Sequence, residues 1–223
     1  MPLRLERANR SDVPELAAVY FSTFKSPLVL RLKPNVPSVR EWYGAQLEAS
    51  FDKQHCHVYK VVEYGDDNDG GGTQSTDLLQ RPEIIAFATW QSPQLKTAQV
   101  QDTRGPEWPA AGDPALFEEV VLKATRIRDD LVGDREHWYL GVLATLPQHQ
   151  RRGAGSLLMG ELCRQADEAG QPAYLEASPS GKSTYERFGF EAKSSFTTVI
   201  NGEDYVDACM VREPKSKDGA GAQ

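Results

Sequence analysis

Cysteine is scarce and has no rhythm in this chain. Cys56, Cys163 and Cys209 are the three among 223 residues, an odd number at wide spacing. That excludes a disulfide framework and a thiolate metal site, and it points to a reducing, cytoplasmic setting. Cys163 falls within a helical apolar stripe, so packing is its expected role. No run approaches the roughly 18 apolar residues of a membrane span. The opening Met1-Pro2-Leu3-Arg4-Leu5-Glu6-Arg7 is charged and alternating, unlike a signal peptide. A surplus of positive charge is also missing. The net charge of −7 argues against nucleic acid as a partner. What remains, 39% hydrophobic and 26% charged residues, suits a soluble globular protein with a sizeable core.

Periodicity divides the chain. Residues 3–8 alternate as a half-buried strand does. Asn9 to Asp12 offer helix caps, with Asp12 and Glu15 at capping-box spacing. Val13, Leu16, Ala17, Tyr20, Phe21 and Phe24 then predict a helix over 13–24. Ser26-Pro27 and the Pro34–Pro37 stretch read as a mobile connection before a helix at about 38–50. Strands are expected at 57–63 and 83–90, around a glycine-rich hairpin loop at 65–77. Residues 92–113 read as an inserted loop and 114–131 as a helix, so an insertion covers 92–134.

The second half reads as an apolar strand over 137–145, a glycine turn, and a helix to Ala169. Leu157, Leu158, Leu162, Cys163 and Ala166 are expected to face inward from that helix. A strand at 173–177, a short helix at 182–188 and a hairpin of 196–200 with 205–211 around Asn201-Gly202 complete a domain spanning 1–213. The tail from Pro214 reads as disordered.

The most informative segment is Leu143 to Ser156, where a strand enters Gln150-Arg151-Arg152-Gly153-Ala154-Gly155 and a helix follows at once. A helix start with bare amides binds anions, and glycines let a diphosphate come close. A nucleoside triphosphate loop would close on Gly-Lys-Ser/Thr, but Gly155 is followed by Ser156 and Leu157. A dinucleotide fingerprint needs a third small residue at 158, which is Leu. Neither fits.

The Gln-x-x-Gly-x-Gly turn, the Asp12-Val13-Pro14-Glu15-Leu16 helix start and Tyr185-Glu186-Arg187-Phe188-Gly189-Phe190 together resemble the GNAT superfamily of acetyl-CoA-dependent N-acetyltransferases. The resemblance runs from Leu3 to Val211. Trp138–Gln150 with Leu175-Glu176-Ala177-Ser178 looks most like its puromycin acetyltransferase type. It implies an α/β GNAT fold: a twisted mixed sheet of six to seven strands, helices on both sides, splayed at the cofactor strand. It also implies acetyl-CoA as donor. Gln150, Arg151, Arg152, Gly153, Ala154, Gly155 and Ser156 would hold the diphosphate, with the backbones of Leu143 and Thr145 beside the pantetheine. Tyr185 would protonate the leaving sulfur. For Arg151 and Arg152, a plain solvated cation is an equal reading, and for Tyr185 simple packing is the alternative.

Transfer to an amine requires a neutral nitrogen, and deprotonating a lysine-like amine at pH 7 costs about 4–5 kcal/mol. Glu136, His137 and Glu176 are candidate bases. Glu176 stands out because a carboxylate inside an apolar strand is unfavourable unless paired or used. It reads either as the candidate catalytic carboxylate beside Tyr185 or as a structural carboxylate bonded to a neighbour, and a water chain could replace a dedicated base. Ser178 and Ser183 read either as pantetheine or substrate ligands or as helix caps. Trp42, Tyr43 and Trp108 read either as an aromatic cation site or as packing. The expected acceptor is a small-molecule amine. A protein lysine or N-terminus, and a non-catalytic acyl-CoA-binding module, are the alternatives.

Overall fold

A computed structural model describes residues 2–64, 82–93 and 108–215. Seven strands, β1 (Leu3–Arg7), β2 (Cys56–Glu63), β3 (Glu83–Gln91), β4 (Trp138–Thr145), β5 (Ala173–Ala177), β6 (Glu191–Ile200) and β7 (Glu203–Arg212), form one sheet. Their order is β1-β2-β3-β4-β5-β7-β6. All neighbours pair antiparallel except β4 and β5, which are parallel. Among the described residues six α-helices accompany them: α1 (Val13–Thr23), α2 (Pro27–Leu32), α3 (Pro37–Ser50), α4 (Pro114–Val132), α5 (Ala154–Ala169) and α6 (Lys182–Glu186).

Alternation along the strands feeds two cores. On one face α5 packs Leu158, Met159, Leu162 and Ala166 against Val61, Ala86, Leu140 and Leu175. On the other, α1 and α3 bury Leu16, Tyr20, Val39 and Tyr43 against Val58, Phe87 and Ala144. The amphipathic α4 lays Val120, Ala124, Ile127 and Leu131 over Tyr174, Cys209 and Phe196. Helices therefore cover both sides of a mixed α/β sheet, as expected. Among the described residues no helix is long and apolar enough to cross a membrane.

The strand pattern opens the site. β4 and β5 pair only over Trp138–Leu140 with Ala173–Leu175, after which they part. On the other edge of β4, Thr89 pairs with Val142 and Trp90 with Leu140, so Gly141 bulges out of the ladder. A Cβ on Gly141 would lie 3.3 Å from Thr89 Oγ1, a tighter approach than ordinary contact.

Several sequence expectations need correction. The segment read as a mobile connection contains α2, capped by Ser26 Oγ accepting from Val29 N–H at 3.3 Å. The capping box is Asn9 with Asp12: Asn9 Oδ1 accepts from Ser11 N–H at 2.9 Å, and Asp12 Oδ2 from Asn9 N–H at 2.8 Å. Asp12 is thereby spent, and its other oxygen pairs with Lys60 Nζ at 2.8 Å rather than capping α1. Leu157 is 39% exposed, and Met159 takes the inward place. β6 begins at Glu191, five residues before the apolar alternation, because its first half is a charged, exposed edge. The expected loop at 65–77, most of the 92–113 insertion and the tail after Lys215 lie outside the described residues.

One buried charge anchors the end of β7. Arg212 is 3% exposed, and its Nη1 and Nη2 donate to the two Asp167 oxygens at 2.7 Å each. Its Nε donates to Phe188 O at 2.9 Å, tying the segment after α6 to the sheet. Donation from Arg212 holds the Asp167 carboxyl below the usual carboxylate range. Asp167→Ala leaves a buried guanidinium unpaired and is expected to destabilise by about 3 kcal/mol. This stabilisation exists above the unfolded carboxyl pKa of about 4 and is lost as pH falls through the lower folded value. Thermal melts of the two proteins should therefore differ widely at pH 7 and converge in strong acid.

Candidate active site

The parting of β4 from β5 opens a cavity of about 1050 Å³. One wall is the turn from Thr145 to Ser156. After the 3-10 turn Pro147–His149, the chain takes left-handed conformations at Arg151 (φ 60°) and Gly153 (φ 97°), and Gly153 caps α5 without any side-chain hydrogen bond. Leu157 N–H returns to Gly153 O at 3.1 Å, so the amides of Ala154, Gly155 and Ser156 precede the first N–H that donates within the helix. A Cβ on Gly153 would meet nothing within 4 Å, and one on Gly155 only Thr145 Oγ1 at 3.8 Å. The glycines thus leave open space at an uncapped, electropositive helix start, which fits a diphosphate. Thr23 Oγ1 and Gln150 Nε2 both donate to Thr145 O, at 3.1 and 3.3 Å, and so fix the end of β4.

Of the residues expected at the donor, Leu143, Thr145, Gln150, Arg151, Gly153, Ala154, Gly155, Ser156 and Tyr185 all line this cavity. Arg152 does not. Its guanidinium makes a two-pronged pair with Glu63, one arm at 3.0 Å, and Nη1 lies 2.7 Å from His149 Nδ1. Glu63 is 6% exposed, and donation from Arg152 keeps its carboxyl below the usual range. The cluster of Glu63, Glu83 and His149 has metal-like spacing, but Arg152 already supplies its cation. The sequence signal for this pair was a carboxylate ending an apolar strand.

The opposite wall is acidic. Glu176 on β5 lies just past the last β4–β5 pair and faces the cavity. Tyr139 Oη donates to its Oε2 at 2.9 Å. Burial pushes the Glu176 carboxyl up, while the Tyr139 bond opposes that. Burial, then the nearby Glu176 charge, push the Tyr139 phenol up, so it stays a donor. Asp207 on β7 also lines the cavity, and the sequence reading missed it. The available signal was an acid in the apolar run Tyr205–Val211. Burial, and then the Glu176 charge, push Asp207 up to about 7.

Between the walls stands Tyr185 on α6. Its ring lies edge-on to Phe190 at 6.2 Å, and a Cβ on Gly181 would come within 3.3 Å of it. Burial pushes its phenol up to about 12, so it holds its proton across the neutral range. Ser178 Oγ accepts from Gly181 N–H at 3.3 Å at the edge of the cavity, a turn-capping bond. Ser183 is not among the lining residues. Glu136 and His137 are also elsewhere. Gln171 Nε2 donates to Glu136 at 2.9 Å, and His137 Nδ1 lies 2.9 Å from Arg135 O. The aromatic group of Trp42, Tyr43 and Trp108 does surround a cation, but it is the chain's own. Lys33 Nζ lies 5.8, 5.6 and 5.8 Å from their ring centres, and 5.4 Å from Tyr20.

Known proteins share this architecture. Residues 37–190 match the Acetyltransferase (GNAT) family. A histone acetyltransferase HPA2 and related acetyltransferase of Corynebacterium glutamicum is similar over 96% of this chain and 98% of its own, at 19% identity and a TM-score of 0.58. Arabidopsis thaliana NAA60 in complex with acetyl-CoA is similar over 95% and 98%, at 14% identity and a TM-score of 0.54. The ribosomal-protein-S18-alanine N-acetyltransferase of Escherichia coli is similar over 100% and 99%, at 14% identity and a TM-score of 0.52. With the family match covering most of its length, and a seven-stranded sheet parting beside an uncapped glycine turn, the chain belongs to the GNAT acetyltransferases, which use acetyl-CoA.

Proposed function

We propose that the chain, as one catalytic domain over 1–213, transfers the acetyl group of acetyl-CoA to a primary amine of a small molecule by direct attack. The observation that carries this reading is the shared cavity. The uncapped start of α5, the protonated Tyr185 phenol and the Glu176 carboxylate border the same space. When bound, acetyl-CoA supplies an activated thioester carbonyl and a thiol leaving group.

The amides of Gly153 to Ser156 bind the diphosphate, with Arg151 adding charge at the cavity edge. The open edge of β4 at Leu143 and Thr145 offers main-chain groups to the pantetheine, in the manner of an added strand. A backbone N–H near Leu143 stabilises the oxyanion, and Tyr185 Oη protonates the departing sulfur. Glu176, oriented by Tyr139, draws the acceptor ammonium into the acidic wall.

Release of free thiol from acetyl-CoA, measured across panels of small amines and of peptides, tests this. The panel starts with puromycin-like aminonucleosides, in line with the sequence resemblance to the puromycin acetyltransferase type. Turnover confined to small amines is expected. Preference for peptide N-termini or lysines would replace the acceptor class. Tight acetyl-CoA binding without turnover on either panel would favour a non-catalytic module.

A further inference from the structure

We propose that Asp207 is the group that receives the acceptor: its carboxylate pairs with the acceptor's ammonium and takes the proton that must leave before attack. The acceptor is then a cationic aliphatic amine rather than a weakly basic one. This rests on the acetyl-transfer reading above and adds to it the proton acceptor and the charge class of the substrate.

Asp207 is 9% exposed and borders the cavity, and among the described residues its carboxylate has no hydrogen-bond or ion-pair partner. A buried carboxylate without a partner is strongly unfavourable, and native proteins pair such groups. Asp207 borders the cavity, so the partner is a cation arriving there with the substrate.

The sheet register sets how it acts with Glu176. Glu176 pairs with Cys209, and Asp207 sits two residues along β7, on the same face. The two acids are diagonal neighbours, about 7–8 Å apart at the backbone, a span that one ammonium held between two side chains can bridge. They are not equivalent. Glu176 already accepts from Tyr139 at 2.9 Å, whereas Asp207 accepts from nothing. Glu176 therefore orients the ammonium, and Asp207 is free to take a proton.

The charged and titratable groups around Asp207 support that division. Tyr205 and Cys209 flank it on β7, Tyr139 and Glu176 lie on β4 and β5, and Arg128 of α4 stands over the Tyr139 ring at 5.4 Å. Lys25 and Arg187 line the cavity, yet neither forms an ion pair with Asp207. Burial and the Glu176 charge raise Asp207 to about 7, the range in which a base works best near neutrality.

The step balances. An acceptor N–H bond breaks, an Asp207 O–H bond forms, and the lone pair stays on nitrogen. That pair forms the N–C bond as the thioester C–S bond breaks. The sulfur takes the Tyr185 proton, the phenolate is refilled by the second nitrogen proton, and Asp207 returns its own to water.

Asp207→Asn tests this. For butylamine, kcat/KM at pH 7.5 is expected to fall about 100-fold, and its rise with pH through about 7 should vanish, whereas a hydrazide, already neutral there, loses less than about threefold. Two readouts are independent of turnover. The Asp207 carboxyl has a folded pKa above its unfolded one, so it weakens the fold as pH rises from about 4 to about 7. The variant should therefore melt higher than wild type at pH 8 and about equally at pH 4. Butylammonium chloride should raise the wild-type melting point at pH 7.5 and leave that of Asp207→Asn unchanged. Butylamine turnover within threefold of wild type would overturn the proposal. So would a lower melting point at pH 8 with the butylammonium effect intact. If wild type turns over no amine, the transfer reading fails, and the melting shifts still decide for or against Asp207 as the ammonium site.

Discussion

Tyr185→Phe is expected to lower kcat about 100-fold, the usual scale for losing one positioned general acid, while acetyl-CoA binds as before. The substitution removes only the hydroxyl and keeps the ring that packs on Phe190. The reason for so large an effect lies in burial. A phenol pushed up to about 12 carries its proton at every working pH, as the proposed general acid must. The loss should fall on kcat rather than on the KM for acetyl-CoA. An acetyl thioester of an acidic arylthiol, which leaves without help, should recover most of it. Steady-state kinetics with both donors check this. An unchanged kcat would remove Tyr185 from the chemistry and leave it as a packing residue.

The second large effect separates folding from binding by opposite signs. Gly155 lies inside the first turn of α5, and a Cβ there meets only Thr145 Oγ1 at ordinary contact distance. Gly155→Ala should thus stabilise the protein by about 0.5–1 kcal/mol, because helical glycine is entropically unfavourable. The same methyl projects at the helix start proposed to hold the diphosphate. Acetyl-CoA affinity should fall with Ala and by about 100-fold, or about 2.7 kcal/mol, with Gly155→Val. Thermal melts and titration calorimetry on the same preparations read both. Unchanged affinity with raised stability would mean that the glycine serves only the turn.

Much of this was legible in the sequence because the relevant signals are local. The glycine turn and the short Tyr185 helix are set by neighbours within a few residues. The early end of β4–β5 pairing was expected only from the family resemblance and has no such local signal. What escaped depends on contacts between distant segments. Glu63 and Arg152 are 89 positions apart, and nothing near Arg152 says that a buried carboxylate will claim it. Lys33 inside the Tyr20, Trp42, Tyr43 and Trp108 rings is a similar case: the aromatic group was visible and its occupant was not. Asp207 reads locally as one acid in a closing hairpin, and only the β5–β7 register sets it beside Glu176. Helix α2 was hidden by its flanking prolines, although Ser26 before Pro27 is an ordinary cap followed by proline at the first helical position.

The central claim is that bare amides at the start of α5 grip the donor's diphosphate and so set its thioester beside Tyr185. Amide nitrogen-15 resonances followed by NMR while coenzyme A is added read this directly. The Ala154, Gly155 and Ser156 signals should shift the most, moving downfield as their N–H groups gain charged acceptors, with Leu143 following. Saturable binding that leaves those three signals in place would contradict it.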